Sequence, residues 1–271
     1  MAIWRCGCCA GGSFFAHALQ SNAGGASGSP ATPHSAGPLD RAQLEELALA
    51  SRILAQRGVF DAFGHISMRH PNAGDRYLMA RSIAPALVTA DDILELDLES
   101  NPCDLQGRSV FLERFIHGQI YRARPDVMAI VHSHSPSVIP FGLTQTPMLA
   151  MYHNAAFIAA GVPVFNIADE FGKTDMLVGN NPKGIALAKV LADKSVVLMR
   201  AHGSVAVGPT LKSAVFRAVM TENNARLQLQ ATTLGGPIAA LDAEEGALAD
   251  AVNMKTVDRP WQLWTQQAGS V

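Results

Sequence analysis

Two histidines separated by a single residue are the side chains of this sequence best suited to chemistry. His132 and His134 follow the apolar run Val127–Val131, which is typical of a buried strand. Because side chains alternate along a strand, both imidazoles project to the same side. A third histidine, His202, follows another apolar run, residues 195–200, at a glycine turn. Imidazoles from two strand ends suit a divalent first-row metal with open coordination positions, and we expect a metal site here.

The composition excludes several classes of partner. The chain has 271 residues, 48% of them hydrophobic and 16% charged, with a formal net charge of −2. This balance gives no reason to expect a nucleic acid or a membrane surface as partner, and no apolar run approaches the ~20 residues of a membrane span. The four cysteines, three of them crowded at positions 6, 8 and 9, do not form a disulfide framework. A reducing, cytoplasmic compartment is therefore expected.

Composition also divides the chain into three parts. Residues 1–38 are low in large apolar side chains and rich in Gly, Ser, Ala and Pro towards their end, which predicts a flexible segment without chemistry. Residues 39–236 are expected to form the catalytic domain. Residues 237–271 contain Trp261 and Trp264, which are costly to leave in water, so this extension should pack on the domain or on a neighbouring subunit.

Hydrophobic periodicity and turn residues predict a mixture of strands and helices. This order of elements indicates an α/β domain with one central sheet flanked by helices. The helix over 110–122 would place Glu113 and His117 four residues apart on one face. Helices are expected at 39–57, 110–122, 148–160, 181–191 and 210–234, and strands at 65–71, 77–80, 93–98, 127–131, 163–168, 195–200 and 205–207.

An ordered set of motifs resembles the class II aldolase/adducin family over about residues 44–234. The motifs are Gly64-His65-Ile66-Ser67, Glu113-x-x-x-His117, Tyr121-x-x-x-Pro125-Asp126-Val127 running into His132-Ser133-His134-Ser135, and Ala201-His202-Gly203. The resemblance implies a single α/β/α sandwich with a mostly antiparallel sheet, usually assembled as a homotetramer with sites near subunit interfaces. It also implies that His132, His134 and His202 bind the metal, and that Glu113 is an acid/base or a further ligand.

The departures from the sugar-phosphate aldolases of this family point to another substrate. Where those enzymes hold phosphate with small hydroxyls, this chain has Phe111-Leu112 and Arg81-Ser82-Ile83-Ala84-Pro85. Arg81 could grip a carboxylate, His65 could donate to a carboxylate or phenolate, and Ser67 belongs to the same stretch. Phe111, Leu112 and Tyr152 could line a flat pocket for a ring. The alternatives are that Arg81 forms a surface ion pair, that Phe111 and Leu112 are plain core residues, and that Tyr152 is a helix residue packed on the sheet. Together the departures favour a planar, anionic substrate.

The stretches around His65 and Glu113 look most like the decarboxylase branch of the family, whose members act on dihydroxyphthalates, hydroxymethylpyridine dicarboxylate or carboxy-hydroxymuconate semialdehyde. The resemblance implies a redox-neutral decarboxylase using Mn²⁺ or Zn²⁺, with Fe²⁺ as a further option. Glu113 would shuttle the proton that replaces CO₂, assisted by His117 or Tyr152. The rival predictions are an aldolase acting on a small hydroxy-aldehyde or sugar phosphate, an iron-dependent oxygenase at the same three-histidine site, and an adducin-like domain without catalysis.

Overall fold

The structure, a computed structural model, describes residues 32–269, which belong to one compact unit. The strands are β1 (His65–Arg69), β2 (Arg76–Ala80), β3 (Ile93–Asp97), β4 (Ala129–Ser133), β5 (Val164–Phe165), β6 (Val196–Met199) and β7 (Gly203–Gly208). The α-helices are α1 (Arg41–Gln56), α2 (Phe115–Ala123), α3 (Ala168–Phe171), α4 (Asn181–Leu191), α5 (Leu211–Leu234), α6 (Ala243–Asn253) and α7 (Asp258–Ala268).

All seven strands belong to one sheet in the order β3-β2-β1-β4-β7-β6-β5. Every neighbouring pair is antiparallel except β5 and β6, which run parallel. The mostly antiparallel sheet that the resemblance implied is therefore confirmed. β4, whose five residues are all buried, lies at the centre between β1 and β7.

Helices cover both faces of this sheet. Successive residues of the central strand point to opposite faces, and the two neighbours Ile130 and Val131 contact different sets of helices. Val131 belongs to a core cluster that includes residues of α1, α5 and α7. Its neighbour Ile130 belongs to a second cluster with residues of α2 and α4. The predicted α/β/α sandwich is confirmed. His132, which was predicted to bind a metal, points to the same side of β4 as Ile130.

The long helix α5 begins as the sequence predicts. Thr210 is its N-cap, and the hydroxyl of Thr210 accepts the Ser213 N–H at 3.1 Å while Ser213 Oγ accepts the Thr210 N–H at 2.9 Å. This reciprocal box satisfies two of the N–H groups that a helix start leaves without a partner. Gly235 ends the helix with a positive φ of 76°, a conformation that favours glycine.

The helix predicted over residues 148–160 is wrong. Residues 148–151 form no helix, and a short 3-10 helix covers only His153–Ile158. The apolar composition of this stretch reflects burial rather than helical periodicity, since Met148 and Ala150 are buried while Leu149 and Met151 are only partly so.

Two amide side chains of α5 provide hydrogen bonds for the backbone of residues 147–151, which forms no helix. Asn224 Oδ1 accepts the Met151 N–H at 2.8 Å, and its Nδ2 donates to the Leu149 carbonyl at 2.8 Å. One turn later, Gln228 Oε1 accepts the Leu149 N–H at 2.9 Å, and its Nε2 donates to the Pro147 carbonyl at 2.8 Å. Side-chain amides on one face of α5 thus satisfy the backbone N–H and carbonyl groups of this segment, as the backbone of a neighbouring strand would in a sheet.

Two further boundaries differ from the prediction. α2 begins only at Phe115, because Leu112–Arg114 form a 3-10 turn in which Glu113 has the non-helical angles φ −93° and ψ 19°. Glu113 and His117 therefore do not share a face of one regular helix. The strand predicted over 163–168 is reduced to Val164–Phe165, and α3 follows it directly.

The C-terminal extension packs on the domain of its own chain. α6 contacts the 3-10 helix at 153–158 and α7 contacts α1, which leaves Trp261 only 7% and Trp264 only 4% exposed. Before α1, the Ser35 hydroxyl and the Ala36 N–H both donate to the Glu95 carboxylate. The rest of the segment predicted to be flexible, residues 1–31, lies outside the described residues. Among the described helices, none has the length and apolar character that crossing a membrane requires.

Candidate metal centre and active site

Three different segments bring the predicted ligands together. His132 lies within β4 directly opposite His65 of β1, His134 follows the end of β4, and His202 occupies the turn between β6 and β7. Glu113, from the 3-10 turn before α2, completes the group, and one ligand atom from each of the four side chains lies within 4.8 Å of the others. The structure therefore gathers all the predicted ligand candidates at one point.

The turn that carries His202 depends on a glycine. A Cβ added to Gly203 would lie 2.0 Å from the Ser133 carbonyl oxygen, far inside van der Waals contact. Only glycine therefore lets the start of β7 approach the end of β4 this closely. Ala201, on the other side of His202, has a positive φ of 55°, so the turn is tight on both sides.

Each ligand imidazole is oriented by a hydrogen bond at Nδ1. His132 Nδ1 lies 3.2 Å from the Ser204 carbonyl oxygen, and His202 Nδ1 lies 3.1 Å from the Met176 carbonyl oxygen. His134 Nδ1 lies 3.1 Å from Asp61 Oδ2. Because carbonyl and carboxylate oxygens can only accept, the neutral rings carry their proton on Nδ1 and leave a lone pair on Nε2.

The Glu113 carboxylate lies next to these Nε2 atoms. Glu113 Oε1 accepts the Val178 N–H at 2.9 Å, which directs Oε2 to within 3.4 Å of His132 Nε2 and 3.2 Å of His202 Nε2. Among the described residues, His132 Nε2 and His134 Nε2 are buried atoms without a hydrogen-bond partner. Acceptor atoms packed against one another need a cation between them, and three imidazoles with a carboxylate fit a divalent first-row metal.

The pKa shifts of Glu113 and His202 also indicate that this centre favours positive charge. Burial acts to raise the pKa of the Glu113 carboxyl, but the imidazoles of His132 and His202 outweigh burial and lower it overall. Conversely, burial acts to lower the pKa of His202, and the Glu113 carboxylate outweighs it and raises that pKa. The Glu113 carboxyl is therefore ionised at this position, which suits a carboxylate that faces a metal and can take up a proton.

A cavity of about 530 Å³ opens beside the four ligand candidates. Its wall is mainly apolar, and Glu113 is the only carboxyl group among the residues that line it. Phe111 packs against the His65 ring with the two ring centroids 4.7 Å apart, as the predicted wall of a flat pocket would. The lining residues are Ala62, Phe63, His65, Ser82, Ile83, Ala84, Phe111, Leu112, Glu113, His134 and Leu177.

Of the predicted substrate-binding and helper residues, only His65 lines this cavity. Ser67 and His117 are both completely buried behind it. His117 Nε2 lies 2.8 Å from His65 Nδ1, and His117 Nδ1 lies 2.6 Å from Ser67 Oγ. Neither Ser67 nor His117 thus touches a molecule held in the cavity.

Two other predicted site residues lie away from the cavity in this chain. Arg81 donates from Nε to Asp92 Oδ1 at 2.6 Å, which is the ion pair that the sequence left open as the alternative. Tyr152 places its hydroxyl 3.1 Å from Met220 Sδ of α5 and packs against the core. Neither side chain is part of the cavity wall.

Sequence reasoning missed the groups that orient the ligands. Asp61 stands within a stretch that carried the family resemblance, but nothing in its spacing indicated a contact with His134. Met176 and Val178 contribute a backbone carbonyl and a backbone N–H, and no side-chain pattern marks such groups. Tyr121 belonged to a quoted motif, and the structure places its hydroxyl 2.8 Å from Ser67 Oγ.

Comparison with known proteins agrees with this geometry. The family described as Class II Aldolase and Adducin N-terminal domain matches residues 45–229. The chain is 32% identical over 238 residues to the decarboxylase tropJ of Talaromyces stipitatus, covering 79% of this chain and 90% of that protein. It is 32% identical over 234 residues to a 3,4-dihydroxyphthalate decarboxylase of Arthrobacter keyseri, with 80% and 90% covered.

Solved structures share the fold. A crystal structure of an aldolase II superfamily protein from Pseudomonas syringae superposes with a TM-score of 0.71 at 20% identity, covering 86% of this chain and 94% of that one. The expected resemblance to the decarboxylase branch is confirmed by the two named relatives. Because the family match spans most of the described chain, this protein belongs to the class II aldolase and adducin family.

Proposed function

We propose that this protein is a metal-dependent, redox-neutral decarboxylase of a hydroxy-substituted aromatic or related unsaturated dicarboxylate. The observation that carries the proposal is the convergence of three imidazole Nε2 atoms and the Glu113 carboxylate at the end of an apolar cavity. The naming of two relatives as decarboxylases, one of them of 3,4-dihydroxyphthalate, supports the reaction class and the substrate class.

His132, His134 and His202 would hold the metal, with Glu113 beside it. Mn²⁺ and Zn²⁺ are the ions we favour and Fe²⁺ is the alternative, because imidazole and carboxylate suit all of them. When bound, such a metal supplies a Lewis acid that accepts the electron density left by the C–C bond to the departing carboxylate. Glu113 and His134 also line the cavity, so substrate oxygens would approach the metal from that side.

The residues of the chain would bind the diacid and replace its lost carboxylate with a proton. Phe111 and the other apolar wall residues exclude water from the ring, and His65 hydrogen-bonds a substrate oxygen. The C–C bond to one carboxylate breaks, CO₂ leaves, and the ring carbon takes one proton. Glu113, as the cavity's own carboxyl group, would pass that proton from water to the carbon.

The test is CO₂ release by the purified protein loaded with Mn²⁺ or Zn²⁺. The substrates would be 3,4- and 4,5-dihydroxyphthalate, hydroxymethylpyridine dicarboxylate and L-fuculose 1-phosphate, with aldehyde formation and oxygen uptake followed in parallel. Chelator-sensitive CO₂ from an aromatic diacid is the expected result. Aldehyde from the sugar phosphate alone would identify an aldolase, oxygen uptake would identify an iron-dependent oxygenase, and a protein that binds no metal would fit the non-catalytic alternative.

The homotetramer and the cytoplasmic location stay predictions within this proposal. Support for assembly comes from apolar side chains near the cavity mouth, where Phe63 is 69% and Leu112 is 67% exposed. Large exposed apolar groups of this kind are typical of surfaces that another molecule covers. Sedimentation equilibrium of the metal-loaded protein would give the subunit number directly.

A further inference from the structure

A continuous chain of buried hydrogen bonds runs from the cavity wall into the core. It begins at His65, passes through His117 and Ser67, and ends at Tyr121, with successive donor–acceptor distances of 2.8, 2.6 and 2.8 Å. All four side chains are buried, and of the four only His65 lines the cavity. No described residue hydrogen-bonds His65 Nε2, so this atom is the one that the chain of hydrogen bonds presents to a substrate.

Each link of the chain holds one proton. His65 Nδ1 and His117 Nε2 lie 2.8 Å apart, so one of these two nitrogens carries the proton of the hydrogen bond and the other accepts it. A neutral imidazole donates from one nitrogen and accepts at the other. The whole chain therefore has two possible polarities, one with the proton of His65 on Nε2 and one with it on Nδ1.

The buried end decides between the two polarities. Among the described residues, Ser67 Oγ is the only hydrogen-bond partner of the Tyr121 hydroxyl, and the guanidinium of Arg69 lies 4.7 Å above the Tyr121 ring. If Ser67 donated to Tyr121, the phenol proton would be buried without an acceptor, which is costly. Tyr121 therefore donates to Ser67.

The remaining links follow from this first one. Ser67 Oγ has one further hydrogen-bond partner among the described residues, His117 Nδ1, so Ser67, having accepted from Tyr121, donates its own proton there. His117 must then carry its proton on Nε2 and donate it to His65 Nδ1. His65 is left with its proton on Nε2, the atom that faces the cavity. The direction of every bond in the chain is thus fixed by a phenol that no substrate touches.

We propose that Tyr121, Ser67 and His117 are positioning residues that fix the tautomer of His65, so that the cavity offers a substrate an N–H donor at His65 Nε2 and no acceptor there. The substrate group that this position recognises is an acceptor-only oxygen, a carboxylate or phenolate, close to the metal centre. A hydroxyl or amine that has to donate at this position is disfavoured. The inference rests on the proposed function for the identity of the substrate but not for the tautomer itself.

The test reads the tautomer directly. Magic-angle-spinning NMR of the Zn²⁺-loaded protein labelled with ¹⁵N-histidine distinguishes protonated from unprotonated ring nitrogens, and loss of signals in His65→Asn and His117→Asn assigns the two rings. The expected result is a protonated Nε2 and an unprotonated Nδ1 on both rings. A protonated Nδ1 on His65 would overturn the proposal.

Ser67→Ala then tests the dependence on the buried chain. Removing the hydroxyl leaves His117 Nδ1 without a donor, so both tautomers of the His65–His117 pair should be populated and kcat/KM for the diacid should fall about tenfold. The matched control is Ser51→Ala, which deletes another buried serine hydroxyl, one that donates to the Pro85 carbonyl at 3.1 Å. It should change neither signal nor kinetics.

The two possible failures are distinguishable. A wild-type tautomer pattern and unchanged kcat/KM in Ser67→Ala would overturn the positioning role while CO₂ release continued. Absence of CO₂ release from every diacid, with the expected tautomer in the spectrum, would instead overturn the proposed function and leave the tautomer assignment intact.

Discussion

At the scale of single residues, the two oxygens of Glu113 have different tasks. Oε1 is held by the Val178 N–H, and Oε2 faces the histidine nitrogens that would hold the metal. Because Oε1 is held by the backbone, Oε2 can take up and release a proton while the carboxyl group keeps its position. The amide variant tests this division, since it keeps the bond to Val178 and removes the proton transfer.

Glu113→Gln should bind metal nearly as the natural protein does and lose at least about 100-fold in kcat, because the amide keeps an acceptor for Val178 but cannot pass on a proton. His134→Ala should lose both metal and activity, because it removes one of the imidazole ligands. Metal content by plasma mass spectrometry and CO₂ release measure the pair. Full activity in Glu113→Gln would remove Glu113 from the mechanism, and stoichiometric metal in His134→Ala would contradict the ligand assignment.

Asp61 gives a second prediction at this scale, since it is the only side chain among the three groups that orient the ligand imidazoles. Asp61→Ala should weaken metal binding about 10- to 100-fold by releasing the His134 ring. Asp61→Asn should give an intermediate loss, because Asp61 uses Oδ2 for His134 and Oδ1 for the Phe63 N–H at 2.8 Å, and an amide has only one oxygen to offer these two donors. Competition with a chromogenic chelator measures both affinities, and natural affinity in Asp61→Ala would contradict the orienting role of this carboxylate.

The sequence predicted the histidines that the structure brings together but not the groups that orient them, for a physical reason. A histidine at a strand end is visible as a residue type with a spacing, and strand alternation places it. The groups that orient His132 and His202 are the carbonyls of Ser204 and Met176, which every residue type possesses. For Arg81 the difficulty is the opposite one: the residue type is visible in the sequence, but its partner is not. An arginine that binds a substrate carboxylate and one that pairs with Asp92 have the same sequence signal.

At the scale of elements, the segment before the 3-10 helix at 153–158 is held by α5 rather than by its own backbone. Asn224 and Gln228 are fully buried, four residues apart on that helix, and make four hydrogen bonds to Pro147, Leu149 and Met151. Local periodicity could not predict this arrangement, because the deciding partners lie more than 70 residues away in the chain. The same distant bonding explains why an apolar stretch that favours a helix forms none.

Asn224→Ala should lower the free energy of unfolding by about 2–4 kcal/mol, because it leaves the Met151 N–H and the Leu149 carbonyl without partners. Asn223→Ala, one position along the same helix, is the control, because the Asn223 side chain bonds Tyr152 and lies 4.0 Å from Met220 Sδ instead of holding residues 147–151. It should cost under about 1 kcal/mol. Urea unfolding followed by circular dichroism gives both values, and similar losses in the two variants would contradict the role assigned to Asn224.

At the scale of the whole molecule, the C-terminal helices complete the hydrophobic core. Trp261 and Trp264 of α7 belong to the same core cluster as residues of α1, β4 and α5. The sequence predicted that these tryptophans would be covered and left open whether the domain or a neighbouring subunit covers them. Within the described part of this chain, α7 contacts α1, and both tryptophan side chains are buried.

Trp264→Ala should destabilise the fold by about 3–5 kcal/mol, because it empties a buried site between α7 and α1. Leu263→Ala is the neighbouring control; its side chain is 52% exposed, and the change should stay within about 0.5 kcal/mol. Thermal and urea unfolding of the metal-loaded proteins measure both. A stable Trp264→Ala protein would mean that α7 contributes little to the core.

The use of backbone carbonyls to orient two of the three ligand rings has a consequence for how the centre tolerates sequence drift. Positions 176 and 204 supply an oxygen whatever side chain they carry, so neutral substitution there leaves the imidazoles of His132 and His202 correctly turned. Asp61 has no such freedom. Among natural variants of this protein, the residue type at position 61 should therefore be retained, and the residue types at positions 176 and 204 should vary. All three positions orient a histidine ring, but only position 61 needs a particular side chain to do so.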